Sequence, residues 1–304
     1  MDPLLVITNN DAGSADQTQL DAALDVLRAE ASVEVAATSN PGELDGVLHR
    51  AGSRRIVVVG GDGSIHAVVA ALHKRHELEG RTLGLIPFGT GNDFARGTDI
   101  PLDPVEAAGV VVHGVATPTD LLIDELGTIV VNNVHVGASA QAGQIGSKVK
   151  SVLGKIRLGP IGLGKLGYPI GAAVAALRPH MLRLKVEVDG KVVVDVDRKT
   201  LMVSVGNGSD VGGGTSLTPH ADPGDGKVDV MISRAVGRLS RLGYAAGLAR
   251  GDHHEREDVI SLRGTQVTVA GEEFWCSADG EITGPERRRT WWVEPAAYSL
   301  MRPR

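Results

Sequence analysis

Two glycine-rich segments carry acids where phosphate chemistry would use them. The first, Gly60-Gly61-Asp62-Gly63-Ser64, follows an apolar run at residues 56–59 and precedes a helical run marked by Val68, Val69, Ala71 and Leu72. Glycines let a backbone come close to phosphate, and a helix N-terminus offers free N–H groups with a partial positive charge. Asp62 would repel a phosphate that it touched directly. Its carboxylate makes sense there if it holds Mg²⁺ or orients a bound water. Ser64 is expected to cap the helix and to donate to a phosphate oxygen. The bland alternative is a plain glycine turn with an N-cap, which a generic Gly-rich loop usually is.

The second segment runs Pro87-Phe88-Gly89-Thr90-Gly91-Asn92-Asp93-Phe94-Ala95-Arg96. It also follows an apolar run. Gly89 and Gly91 open the backbone, Thr90 offers a hydroxyl, and Asn92 and Asp93 converge at the next helix start. An ordinary capped turn would explain it alone. Two acid-bearing glycine loops at neighbouring strand ends are harder to explain as coincidence.

The elements that must position these loops follow a rhythm. Short apolar runs at 4–8, 33–38, 56–59 and 83–86 read as strands, with helical spacing between them at Leu20, Ala23, Leu24 and Leu27 and a helix beginning near Pro41. This β-α alternation predicts a doubly wound, parallel α/β unit, whose ligands bind at the carboxyl ends of the strands. From about residue 120 the rhythm changes. Segments 119–123, 128–136, 181–188, 191–196, 201–205, 228–232, 266–269 and 290–293 read as strands, and Asp189-Gly190 is a type I′ hairpin signal. The expected organisation is an α/β nucleotide-binding domain over 1–120 and a mainly antiparallel β-sandwich over 121–294. Segment 295–304 is expected to return to the first domain.

Bulk properties narrow the function. A chain of 304 residues, 42% hydrophobic, can build a sizeable core. A net charge of −6 argues against broad nucleic-acid binding. The single cysteine, Cys276, excludes a disulfide framework and suits a reducing, cytoplasmic compartment. The start lacks a basic signal-peptide region, and no apolar run reaches the roughly 20 residues of a membrane span. Segment 147–170 is basic and apolar without an acid, which suits either a solvated face or contact with anionic lipid.

The loops at 60–64 and 88–96 together resemble the catalytic domain of the diacylglycerol kinase and sphingosine kinase superfamily, including bacterial soluble lipid kinases. Those enzymes carry GGDGT, then a hydrophobic residue and Asn-Glu, and later a P-x-G-T-x-N-D-F-A-R segment. Here Ser64 replaces the threonine, and His66-Ala67 replaces Asn-Glu. NAD kinases share the first motif but not the Asn-Asp-Phe-Ala-Arg segment. The resemblance implies the NAD kinase/diacylglycerol kinase-like pairing of domains, with nucleotide binding by the first loop and a catalytic or metal-organising role for Asp93. It also implies an early phosphate turn in which Asn9 and Gly13 remain, and places Thr38 near the adenine or ribose.

The resemblance extends through Gly206-Asn207-Gly208, Gly212-Gly213-Gly214 and Asp225-Gly226-Lys227-Val228-Asp229. In bacterial members that stretch holds a structural Mg²⁺. The resemblance carries the ligating side chain to Asp225 and the carbonyls to Asp222 and Lys227, while a metal-free turn is the alternative. Asp279-Gly280-Glu281 matches the late D-G-E segment and makes Glu281 the general base for the acceptor hydroxyl.

The implied activity is ATP-dependent transfer of a phosphoryl group to a lipid hydroxyl, diacylglycerol first, with ATP and Mg²⁺ as cofactors. Asp62, Asp93 and Glu281 would stand at the reaction centre. The rivals are a sphingoid-base, other-lipid or alcohol kinase, and a non-catalytic regulator that retains the fold. Expected partners are a lipid substrate and a membrane surface met peripherally. Oligomeric state is not readable, a homodimer being compatible with the sequence. Three further features read as structural. His253-His254-Glu255 is expected to be a solvated loop, Trp291-Trp292 one buried and one partly exposed strand pair, and Cys276 a buried small side chain.

Overall fold

The computed structural model describes residues 2–9, 17–137, 140 and 181–304. The first elements alternate: β1 (Leu4–Asn9), α1 (Gln17–Glu30), β2 (Val33–Thr38), α2 (Pro41–His49), β3 (Arg55–Gly60), α3 (Asp62–Lys74), β4 (Thr82–Pro87), α4 (Asp93–Gly97), α5 (Pro104–His113) and β5 (Val115–Asp124). Then come β6 (Ile129–Val130), β7 (Asn133–Gly137), β8 (Leu182–Val188), β9 (Lys191–Val194), β10 (Lys199–Thr200), β11 (Met202–Gly206), β12 (Asp210–Val211), β13 (Thr215–Ser216) and β14 (Val228–Ser233). The chain closes with α6 (Arg238–Arg250), β15 (Val259–Gly264), β16 (Gln266–Ala278) and β17 (Glu281–Arg302).

β1 pairs in parallel with β2 and β3, and β3 with β4. The inner strands are continuous apolar runs because both their faces are covered; Leu4, Val6, Ile56 and Leu83 are fully buried. β2 lies at the edge of the sheet and alternates with exposed residues. α1 packs beside α5, and α2 beside α3. Gly84 lets α5 approach β4 closely, since a Cβ there would lie 2.8 Å from Val111.

The second half is antiparallel. β11 pairs with β7 and β14, β14 with β15, and β16 with β7, β8 and β17. Val134, Val186, Val203, Val230 and Val269 meet in its core. Asp189 and Gly190 both have positive φ (49° and 76°) and join β8 to β9 as the expected two-residue turn. β17 belongs to both halves. Trp291 to Glu294 pair with residues 121–124 of β5, and Tyr298 to Arg302 with residues 115–119. Ser299 and Leu300 also pair in parallel with Thr82 and Leu83 of β4.

Candidate active site

The two glycine loops touch backbone to backbone. A Cβ on Gly61 would lie 2.9 Å from Gly89 Cα, and one on Gly89 would lie 2.5 Å from Gly61 Cα. Only glycine fits either position without moving the other strand end. Asn92 sets the second loop: Gly89 N–H donates to its Oδ1 (2.9 Å), and its Nδ2 donates back to Gly89 O (3.0 Å). To do so Asn92 adopts a left-handed conformation (φ 54°, ψ 41°), which asparagine tolerates better than most residues.

The acids of the two loops face each other. Phe94 N–H donates to Asp62 Oδ1 (2.9 Å), so Asp62 satisfies an amide in the first turn of α4. Asp93 is buried and accepts from Gly213 N–H (2.9 Å) and Gly214 N–H (2.7 Å), across to the second half of the chain. A Cβ on Gly91 would stand 3.1 Å from Asp62 Oδ2 and 3.3 Å from Asp93 Oδ2. Burial raises the Asp93 carboxyl above its ordinary value, the Gly214 and Gly213 amides oppose this, and the charge of Asp62 adds to it. Two oxygen acids pressed together in this way fit a divalent cation that keeps most of its other ligands from phosphate and water. Among the described residues no cluster of three or more His, Cys, Asp or Glu forms a cage of its own.

Ser64 corrects one expectation. α3 begins at Asp62 with Gly61 as its N-cap, and no side chain caps it. Ser64 stands inside the first turn, where its N–H donates to Gly61 O (2.9 Å). Its side chain folds over Gly60, where a Cβ would lie 2.2 Å from Ser64 Oγ.

Beside the first loop lies a cavity of about 840 Å³. Asn9, Thr38, Gly61, Gly63 and Ser64 line it, with Pro41, Leu44, His66, Lys74 and, from the far end of the chain, Glu281. Thr38 Oγ1 also donates to Thr8 O (3.4 Å). Gly60, Asp62, Gly89, Thr90, Asn92 and Asp93 are not part of this lining. Gly13 and the basic segment 147–170 lie outside the described residues.

Glu281 is placed by a turn whose anchor the sequence reading passed over. Asp279 and Gly280 have positive φ (45° and 88°), and Ala278 pairs with Glu281, so Asp279-Gly280 is a two-residue hairpin turn. Asp279 Oδ2 accepts from Val131 N–H (2.7 Å), and Oδ1 from Asn132 N–H (2.9 Å) and Asn133 N–H (3.0 Å). His66 Nδ1 lies 2.7 Å from the same Oδ2.

Asp120 was likewise missed. It is buried, and it accepts from Gly226 N–H (2.6 Å) and Ala296 N–H (2.8 Å). Burial raises it, the two amides oppose this, and the charge of Asp222 adds to the rise. It sits in an apolar strand with no glycine beside it, so only its type hinted at a role.

The turn at 222–227 lies apart from the cavity lining. Asp225 Oδ1 accepts from Lys227 N–H (3.0 Å), while Oδ2 pairs with the Arg263 guanidinium. Asp222 Oδ1 accepts from Gly224 N–H and from Arg302, each at 3.1 Å. Arg263 thus supplies Asp225 with a countercharge across from this turn.

His253 is a second correction. It is buried in a short 3₁₀ turn at His253–Glu255 rather than solvated, with Nε2 3.0 Å from Leu217 O and its ring edge-on to Tyr244. Trp291 is buried and Trp292 partly exposed, as expected. Burial pushes the Cys276 thiol up to about 12, which removes it as a nucleophile.

Two family models match the chain: the diacylglycerol kinase catalytic domain over residues 3–123, and the YegS C-terminal NAD kinase beta sandwich-like domain over 132–302. A diacylglycerol kinase of Bacillus subtilis (strain 168) is 32% identical over 234 residues, covering 75% of this chain and 71% of that protein. A protein of Xanthomonas campestris pv. campestris named Probable lipid kinase YegS-like is 30% identical over 312 residues, covering 94% and 92%. The crystal structure of a diacylglycerol kinase from Bacillus anthracis str. Sterne shares the fold, with a TM-score of 0.73 at 22% identity over 99% of this chain and 97% of that one.

Proposed function

Because the chain belongs to the lipid kinase family that carries the diacylglycerol kinase catalytic domain, we propose that it transfers the γ-phosphoryl group of ATP to a lipid hydroxyl, with diacylglycerol the first candidate and phosphatidic acid the product. The observation that carries the proposal is the placement of Glu281, which lines the same cavity as Gly61, Gly63 and Ser64 although more than 200 residues separate them. A binding module needs no carboxylate aimed into a phosphate site from a second unit.

In this reading the nucleoside end of ATP lies toward Thr38, Pro41 and Leu44, and its phosphates lie against Gly61, Gly63 and Ser64. Asp62 and Asp93 would hold Mg²⁺, which supplies charge neutralisation across the phosphate oxygens when bound. The acceptor oxygen attacks the γ-phosphorus, the bond to the β–γ bridging oxygen breaks to leave ADP, and the hydroxyl proton passes to Glu281.

The lipid would be met peripherally. Among the described residues no helix is long and apolar enough to cross a membrane. α6 exposes Leu239 (84%) and Leu242 (67%) beside Arg238 and contains no acid, which suits an anionic bilayer surface.

The test is transfer of radiolabel from γ-labelled ATP to a panel of diacylglycerol, sphingoid base and simple alcohols. Diacylglycerol should be labelled, and Glu281→Gln should lower the rate by about 10²- to 10⁴-fold, the range for a removed general base. Full transfer by Glu281→Gln would overturn the base assignment. Intact ATP binding with no acceptor labelled would favour a regulator, and label on another acceptor would reassign the substrate.

A further inference from the structure

His66 stands where the family motif has asparagine, on the second turn of α3, four residues after Asp62. Its side chain is 19% exposed, lines the cavity, and sets Nδ1 2.7 Å from Asp279 Oδ2. Asp279 is itself immobilised, since its carboxylate takes three amide hydrogen bonds from Val131, Asn132 and Asn133 and its side chain is 3% exposed. Two residues later the same turn delivers Glu281 to the cavity. The contact thus joins the helix that follows the phosphate loop to the turn that carries the acceptor-side carboxylate.

We infer that His66 is a positioning residue, a clamp that holds the Asp279-Gly280 turn against α3 and so fixes Glu281 opposite the phosphate loop. The inference rests on the reading of Glu281 as the base. Its physical basis is the second anchor. Amides of residues 131–133 tie Asp279 to its own half of the chain, and they leave its distance from the phosphate loop to the packing between halves. His66 closes that distance directly. A charge-assisted hydrogen bond to a carboxylate is about twice as strong as a neutral one, and the Asp279 side chain is only 3% exposed. Burial alone would push the imidazole down, but the hydrogen bond and charge of Asp279, with the charge of Glu281, hold it above its ordinary value. Nδ1 is attached to Cγ, the same place in the side chain as Asn Nδ2, so an asparagine can donate to the same carboxylate oxygen. Replacement of the motif's asparagine by histidine therefore leaves the clamp intact.

Steady-state kinetics of the full chain with Mg-ATP and 1,2-dioleoylglycerol in mixed micelles tests this. His66→Ala and His66→Phe should lower kcat by about tenfold or more, since misplacing a catalytic group by about 1 Å can cost 10²-fold, while KM for ATP changes less than about threefold. His66→Asn should restore kcat to within about threefold of the parent. Either change placed on Glu281→Gln should add little, because the group being positioned is already gone. The clamp is overturned if His66→Phe keeps its kcat, if the loss lies in KM alone, or if His66→Asn is as poor as His66→Ala. Loss of kcat in Glu281→Gln with none in the His66 variants sinks the clamp alone. Full activity in Glu281→Gln sinks the reading of the base beneath it.

Discussion

Three carboxylates in this protein are held by backbone amides, whereas the buried Asp124 and Asp229 face arginines. Asp93, Asp120 and Asp279 each accept from amides far away in the sequence, and each joins segments that the chain separates by about 100 residues or more. His135 lies in β7 between Ser204 and Ser277, with Nδ1 buried and without a hydrogen-bond partner among the described residues. Burial lowers it from 6.5 to about 4, against a smaller upward pull from Asp279. The folded chain therefore keeps His135 neutral at a pH where the unfolded chain has taken up a proton. Its contribution is intact above pH 6.5 and is lost progressively as pH falls from 6.5 toward 4. Replacing it by asparagine should leave unfolding free energy with a fixed offset above pH 7. The variant should then gain on the parent by up to about 3 kcal/mol at pH 4, at about 1.4 kcal/mol per unit. Urea titrations across that range would show it, and parallel curves for the two proteins would refute it.

At the scale of elements, α6 makes the sharpest prediction. Leu239, Leu242, Ala246 and Ala249 recur at helical spacing on its exposed side, while Tyr244 and Gly247 are buried opposite. Leu239→Asp with Leu242→Asp should weaken co-sedimentation with phosphatidylglycerol vesicles by about tenfold or more, through lost apolar burial and added negative charge. ATP affinity should not change, because neither leucine lines the cavity. Unchanged sedimentation would remove α6 from the membrane contact. This helix was not legible in the sequence. Gly243 and Gly247 weaken its local propensity, and apolar residues on both sides blur its period. β1, β3 and β4 were legible because buried parallel strands are unbroken apolar runs. β16 and β17 were read only in part, as 266–269 and 290–293. Register shifts near Phe274 and the exposed Arg287 and Arg288 break their alternation. The glycine loops were found by composition, but the contact of Gly61 with Gly89 depends on the lateral pairing of β3 and β4, which composition does not encode.

The molecule as a whole is tied by β17. The strand starts at Glu281 in the cavity, passes Trp291 in the second core, and ends with Leu300 fully buried in the first core between β4 and β5. β17 pairs with β16 of the second half and with β4 of the first within one continuous sheet, so it cannot leave one half without dragging its continuation out of the other, and damage at one end should be felt at the other. The three tryptophans, Trp275, Trp291 and Trp292, all report on the second half, whereas most of the helix among the described residues lies in α1 to α5 of the first half. Leu300→Ala removes a side chain buried only in the first core and should cost about 2–5 kcal/mol. If β17 couples the halves, the denaturant midpoints read by tryptophan fluorescence and by helical dichroism should fall together and stay coincident. A dichroism midpoint that drops while fluorescence holds would mean that the halves melt independently. Glu281 would then owe its place beside the phosphate loop to local contacts such as His66 with Asp279, rather than to the strand that carries it.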